Sequence, residues 1–270
     1  MGRMSAGLIA IMTKVGFKLL SVMIKFAKIG KVGMAVGTMA TYSYLFTWQF
    51  ALVLMVSLFV HENGHVWMMK RCGMVVKGIY FIPFVGAAAV AEGDFPSPKD
   101  EANIAIMGPI WGLILVVFTI FVYKITGSAF FGAVAGWMAM ANLFNLLPIS
   151  PLDGGRIMKS IAFSIGSTTG LAFMLIGIII FMTITIWKGI VLFAALLIIA
   201  LMEFVFTYYD IRRHIKKGID VRSIKIYSPM SIKNVILSVS SYIVVTVILW
   251  VLMVYVENIP EVEAAKSIFM

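Results

Sequence analysis

Apolar residues in this chain come in long uninterrupted stretches, where a soluble helix would alternate polar and apolar faces. Six stretches approach the roughly 20 residues a helix needs to cross a bilayer core about 30 Å thick. They cover 45–69, 102–123, 130–148, 168–187, 189–209 and 235–256. Residues 74–98 break the pattern: 75–82 reads as a strand, Pro83 and Gly86 interrupt it, and 87–91 is too short to span. Such a re-entrant or edge-lying β-like segment is tolerable at membrane depth only where protein buries its backbone. The expected fold class is therefore an all-α polytopic membrane protein with about six transmembrane helices, a short membrane-associated β-like segment and an N-terminal amphipathic helix. Three regions follow: 1–44, amphipathic and with room for an extra crossing; a membrane core over 45–160; and C-terminal transmembrane helices over 161–270 with a basic loop at 210–233.

Composition sharpens this picture. Of 270 residues, 61% are hydrophobic and 13% charged, against roughly half and a quarter in soluble domains. A mean hydropathy of +1.02 excludes a soluble globule, and it excludes disorder, which needs low hydrophobicity. One cysteine, Cys72, excludes an intramolecular disulfide and a cysteine-cluster metal site. Lys14 and Lys18 interrupt the apolar run that a signal peptide would need.

The net charge of +10 has addresses in the membrane frame. Arg212, Arg213, Lys216, Lys217, Arg222, Lys225 and Lys233 outnumber Asp210 and Asp220 in the 210–233 loop, which the positive-inside rule puts in the cytoplasm. Counting spans from there leaves Glu257, Glu261 and Glu263 outside, and Arg156, Lys159, Lys70 and Arg71 inside. Lys14, Lys18, Lys25 and Lys28 share about 80° of a helix face, as in an interfacial helix on anionic lipid. Their charge argues for the cytoplasm, whereas a span starting at 45 should begin outside; an extra crossing within 5–44 reconciles the two. No nucleic-acid partner is expected.

Candidate chemistry is concentrated in two places. His61-Glu62-Asn63-Gly64-His65 is H-E-x-x-H near the end of an apolar span. On a helix, positions i and i+4 share a face, so both imidazoles reach one metal ion while Glu62 is offset to handle a proton. Chance produces this pattern about 10⁻³ times in such a chain. The bland alternative is a pair of packed, locally hydrogen-bonded histidines, which must also explain a costly intramembrane glutamate. A catalytic zinc site wants a third protein ligand. His214 lies in the basic loop and is expected to be solvated. Asp153, in Asn145-Leu-Leu-Pro-Ile-Ser-Pro-Leu-Asp153-Gly-Gly-Arg156, is the better candidate; its alternative role is capping a short helix at 155–163.

Together the two motifs resemble the site-2 protease family (peptidase family M50) of intramembrane zinc metalloproteases. The resemblance covers about 45–160. It implies one Zn2+ per chain held by His61, His65 and Asp153, with Glu62 as catalytic base and Asn145 near the substrate backbone. Gly108-Pro109 resembles the family's glycine-proline, but Ile110, Trp111 and Gly112 stand where the family often has an asparagine. The 75–91 segment resembles the family's membrane-embedded β region; it either pairs with an unwound substrate along the edge of 77–82 or is a structural plug that only packs the span bundle. No PDZ or CBS domain is recognisable.

The implied function is hydrolysis of a peptide bond in a membrane-embedded protein or peptide, near the cytoplasmic face. The implied setting is a lipid bilayer, as a multi-pass protein of a prokaryotic plasma membrane; oligomeric state is unreadable. The competing reading is a membrane transporter or scaffold with a structural or ion-carrying metal site, which a fourth protein ligand would favour. Glu203, inside the fifth span, is expected to be a hydrogen-bonded structural acid, and Cys72 a non-ligand thiol.

Overall fold

A computed structural model of the chain describes residues 30–82, 86–188, 191–224 and 227–262. The amphipathic helix expected around residues 14–28 lies outside them. Helix α1 (Gly30–Leu45) and helix α2 (Trp48–Arg71) form a hairpin across a two-residue link. The Thr47 hydroxyl caps α2 by accepting from the Phe50 N–H at 3.3 Å, and Lys70 and Arg71 complement the negative end of its dipole. Strands β1 (Val76–Ile82) and β2 (Gly86–Ala91) follow as an antiparallel pair. The strand-like stretch of the sequence is thus a hairpin, with Ile79 opposite Ala89 and a bulge between Val76 and Gly78.

Helix α3 (Pro98–Thr126) is the centre of the bundle and packs on α2 and on three later helices. Ser97 caps it, proline occupies its first turn, and Gly127 closes it at φ +64° with its N–H on the Tyr123 carbonyl. The later helices are α4 (Ala129–Asn145), α5 (Asp153–Ile165), α6 (Ser167–Lys188), α7 (Val191–Lys216) and α8 (Ile232–Glu257). Helix α4 ends at Asn145 instead of running to 148, because Pro148 cannot continue it.

Ala105, Ala133, Ala135 and Ala139 are fully buried between α3 and α4. Small residues let helix backbones approach where lipid offers no hydrophobic drive for association. Conversely, Ile114, Phe118 and Phe121 of α3 and Ile243, Val247 and Trp250 of α8 are each more than half exposed, a load of apolar surface suited to lipid. Four helices among the described residues are long and apolar enough to cross a membrane: Trp48–Arg71, Pro98–Thr126, Ser167–Trp187 and Ile232–Glu257. The molecule is a mostly helical multi-pass membrane protein with a small two-stranded sheet.

Leu249 of α8 belongs to the buried cluster that joins this helix to α3 and α4, and it has no exposed surface. Leu249→Ala should cost about 2–5 kcal/mol, read as a lower thermal unfolding midpoint in detergent. An unchanged midpoint would mean that α8 does not pack there.

Candidate metal centre

Helix α2 carries His61 and His65 one turn apart on one face, their rings edge to face with centroids 4.8 Å apart. The face is habitable because α3 passes beneath it without side chains. A Cβ at Gly64 would overlap the Met107 carbonyl, and one at Gly108 would strike His65 Nε2 and lie 2.7 Å from His61 Nε2. That is the physical reason for glycine before Pro109. One turn further, a Cβ at Gly112 would overlap the Asn142 amide, so the residue at which this chain departs from the family's pattern has a use of its own.

Asp153 arrives from the other side. Added Cβ atoms at Gly154 and Gly155 would overlap the backbone of residues 146–150, so these glycines let the chain fold tightly into α5. Asp153 does not cap that helix: Leu152 is the N-cap residue and supplies no side-chain bond. Instead Asp153 Oδ2 lies 2.9 Å from His61 Nε2 and 3.2 Å from His65 Nε2, and the two nitrogens are 3.1 Å apart. The three residues expected to ligate a metal thus converge, all buried, with exposures of 3%, 4% and 6%.

The outer nitrogens explain the orientation. His65 Nδ1–H donates to the Ile104 carbonyl at 2.7 Å, and a carbonyl only accepts. His61 Nδ1–H donates to Asn142 Oδ1 at 3.0 Å, because the Asn142 amide nitrogen is committed to the Met138 carbonyl at 2.8 Å. With protons on both Nδ1 atoms, neutral rings turn bare Nε2 lone pairs toward each other and toward a carboxylate oxygen. Three electron-rich atoms at that spacing call for a cation. Tetrahedral zinc, with bonds of about 2.0–2.1 Å, separates its ligand atoms by about 3.4 Å, so the His₂Asp donor set fits.

Glu62 stands beside this triangle and outside it. It is 7% exposed, and its Oε2 accepts from the Ala89 N–H of β2 at 2.7 Å. Asn145, the expected substrate contact, is half-buried at the end of α4; the asparagine that reaches the centre is Asn142, one turn earlier. The signal for it was a second amide on the same face of an otherwise apolar helix. His214 donates to the Asp210 carbonyl at 2.9 Å within α7 and has no part in the donor triangle. The Cys72 Sγ lies 3.8 Å from Asp100; burial first and then this carboxylate push its pKa up, away from a thiolate.

Sequence reasoning also missed a cluster of charges behind Asp153. Lys159 Nζ lies 2.7 Å from both Glu101 of α3 and Glu203 of α7. Burial opposes its charge, but the two carboxylates outweigh burial and hold its pKa above the ordinary lysine value. Glu203 also accepts from the Ser150 hydroxyl, the structural role expected of it. Arg156 bridges Glu101 and Asp153 at 3.8 and 3.5 Å. Glu203 alone stands out in sequence; the cluster as a whole does not, since its members come from three separate stretches.

Comparisons with known proteins agree with the geometry. Residues 49–134 match the model of peptidase family M50. Rip3 of Mycobacterium tuberculosis, whose name refers to a zinc metalloprotease, is 34% identical over 136 residues, covering 46% of this chain and 34% of that protein. A zinc metalloprotease of Methanocaldococcus jannaschii is 33% identical over 116 residues, covering 41% and 33%. The match thus spans about a third of the length of these relatives. The solved site-2 protease from the same archaeon shows 22% identity, covers 73% of this chain and 85% of that one, and superposes only loosely, with a TM-score of 0.40. The family match ends before Asp153, yet the fold closes that residue onto histidines up to 92 positions away; over residues 49–134 the chain is similar to peptidase family M50.

Proposed function

We propose that the chain is an intramembrane zinc metalloprotease that hydrolyses a peptide bond of a membrane-embedded protein or peptide near the cytoplasmic face. The observation that carries this reading is the buried triangle of His61, His65 and Asp153 with the Glu62 carboxylate beside it. One zinc ion per chain, held there, supplies Lewis acidity that makes water a nucleophile near neutral pH and polarises the carbonyl it attacks. Glu62 takes the proton of the attacking water and hands it to the leaving amine. Asn142 and the Ile104 carbonyl keep both imidazoles turned inward, as partners on the outer nitrogen do for metal-binding histidines. Among the described residues the group offers three protein donors, which leaves the open position an enzyme needs and a structural site lacks.

In the membrane, the reading assigns six spans over the 45–256 region, with α4 and α7 joining the four helices that are long and apolar enough to cross by themselves. The basic loop after α7 faces the cytoplasm of a prokaryotic cell, and His65 lies about 8 Å along α2 from Lys70 at that edge. Lys31, near the start of α1, bonds the Lys77 carbonyl just beyond the end of α2, so α1 rises from the cytoplasmic level antiparallel to α2. This supports an extra crossing in the 1–44 region.

A transmembrane substrate must unwind before it can be cut, and its freed backbone groups then need partners. The hairpin supplies them by strand addition. The edge that faces the site belongs to β2, not to residues 77–82: Ala89 points its N–H at Glu62, and Ala87, two residues away, turns its N–H to the same outer edge. The outer edge of β1 meets α1 instead. Asn145, at the end of α4, takes a further backbone group of the unwound segment.

Glu62→Gln should abolish cleavage of a transmembrane substrate while zinc stays at one per chain; loss of the zinc as well would move Glu62 into the ligand set. Gly108→Ala should instead lose both, measured as zinc content of the purified protein, because its methyl occupies the space of the His65 ring. Ala87→Pro removes an outward N–H without touching the β1 ladder. It should lower cleavage severalfold at unchanged zinc content, and full activity would rule out pairing at that edge.

A further inference from the structure

Behind the donor triangle, Asp153 divides its two oxygens. Oδ2 faces both histidines, while Oδ1 faces the guanidinium of Arg156 at 3.5 Å. Arg156 sits one helical turn after Asp153 on α5 and is held from three sides. Its Nε lies 3.8 Å from Glu101 of α3, its guanidinium stacks over the Phe95 ring at 4.8 Å, and its own helix fixes its backbone through the Leu152 carbonyl. Glu101 is in turn gripped by Lys159 at 2.7 Å, and Lys159 by Glu203 of α7 at the same distance. The chain of contacts runs from α7 through α3 and α5 to the carboxylate at the centre.

Charge decides what Arg156 does for Asp153. Glu101 and Glu203 balance Arg156 and Lys159, so this buried cluster is neutral by itself. Glu62 and Asp153 then carry two negative charges that a divalent cation would balance. Arg156 lies between two carboxylates, 3.5 Å from Asp153 and 3.8 Å from Glu101, and makes a short charged hydrogen bond to neither. It therefore restrains the carboxylate without cancelling its charge. The restraint matters because the terminal torsion of aspartate has a broad, roughly two-fold profile. An unrestrained Asp153 would swing between presenting one oxygen and presenting two.

From this geometry we infer that Arg156 is a positioning residue: it holds Asp153 with Oδ2 turned to the two histidines, while the Glu101–Lys159–Glu203 pairs serve the packing of α3, α5 and α7. This rests on the metal-site reading above. Partners one step removed from a metal typically contribute 10–100-fold in affinity, and the loss of Arg156 falls in that range.

The test is zinc affinity measured by competition with a chelator on the purified full-length protein in detergent, alongside thermal unfolding of the metal-free form. Arg156→Ala should weaken zinc binding about 10–100-fold with little change in the metal-free midpoint, and Arg156→Lys should recover part of the loss. Lys159→Met should do the reverse: a lower metal-free midpoint, and zinc affinity within about threefold of the parent. A parent-like affinity in Arg156→Ala overturns the inference and leaves the metal site standing. So does an equal loss of affinity in Lys159→Met, which would make the effect one of general stability. A parent protein that binds no zinc overturns the metal site and this inference together.

Discussion

Two imidazoles can turn bare nitrogens toward one carboxylate only if the helix beneath them offers no side chain. Gly108 meets that condition, and much of the surrounding architecture follows from it. Because α3 can lie directly against the histidine face of α2, the Ile104 carbonyl comes within reach of His65 and fixes its ring. Because α3 is also bare at Gly112, Asn142 of α4 reaches across to fix His61. One narrow interface thus sets the position and the protonation pattern of both rings, at a depth where an unpaired polar group is costly.

The buried charges obey a similar economy. Removing one partner of a buried ion pair typically costs several kcal/mol, so six ionised side chains near one centre need mutual accounting. Four of them, Glu101, Arg156, Lys159 and Glu203, form a neutral set that joins three helices and touches the centre through Arg156 and Asp153. The remaining two carboxylates lie on the side of the donor triangle. The division explains how so apolar a chain carries this much charge inside without collapsing it into salt bridges that would leave nothing for a cation.

The hairpin adds the third constraint. Its β2 edge contacts α2 through the bond from Ala89 to Glu62, while β1 leans on α1. A backbone amide therefore orients the carboxylate that stands beside the metal centre. Strand edges usually demand protection; here β1 is covered by α1, and β2 turns its edge toward the candidate site.

Much of this was legible in the residues alone. Apolar runs located the helices to within a few positions, except that Pro148 ended α4 early and α7 ran on to Lys216. H-E-x-x-H and Asp153 pointed to three residues that the fold brings together, because their chemistry is carried by residue type at fixed local spacing and ionisable groups are scarce in membrane spans. What the tertiary structure decided is everything that depends on approach between distant segments. That includes Asn142 as the partner of His61, β2 as the strand facing the site, and Asp153 as a carboxylate aimed at the histidines and not a helix cap. It includes also the ion cluster drawn from residues 101, 156, 159 and 203. Periodicity along one helix says which residues share a face, but only the packing of α3 against α2, α4 and α5 brings those faces within a hydrogen bond of each other.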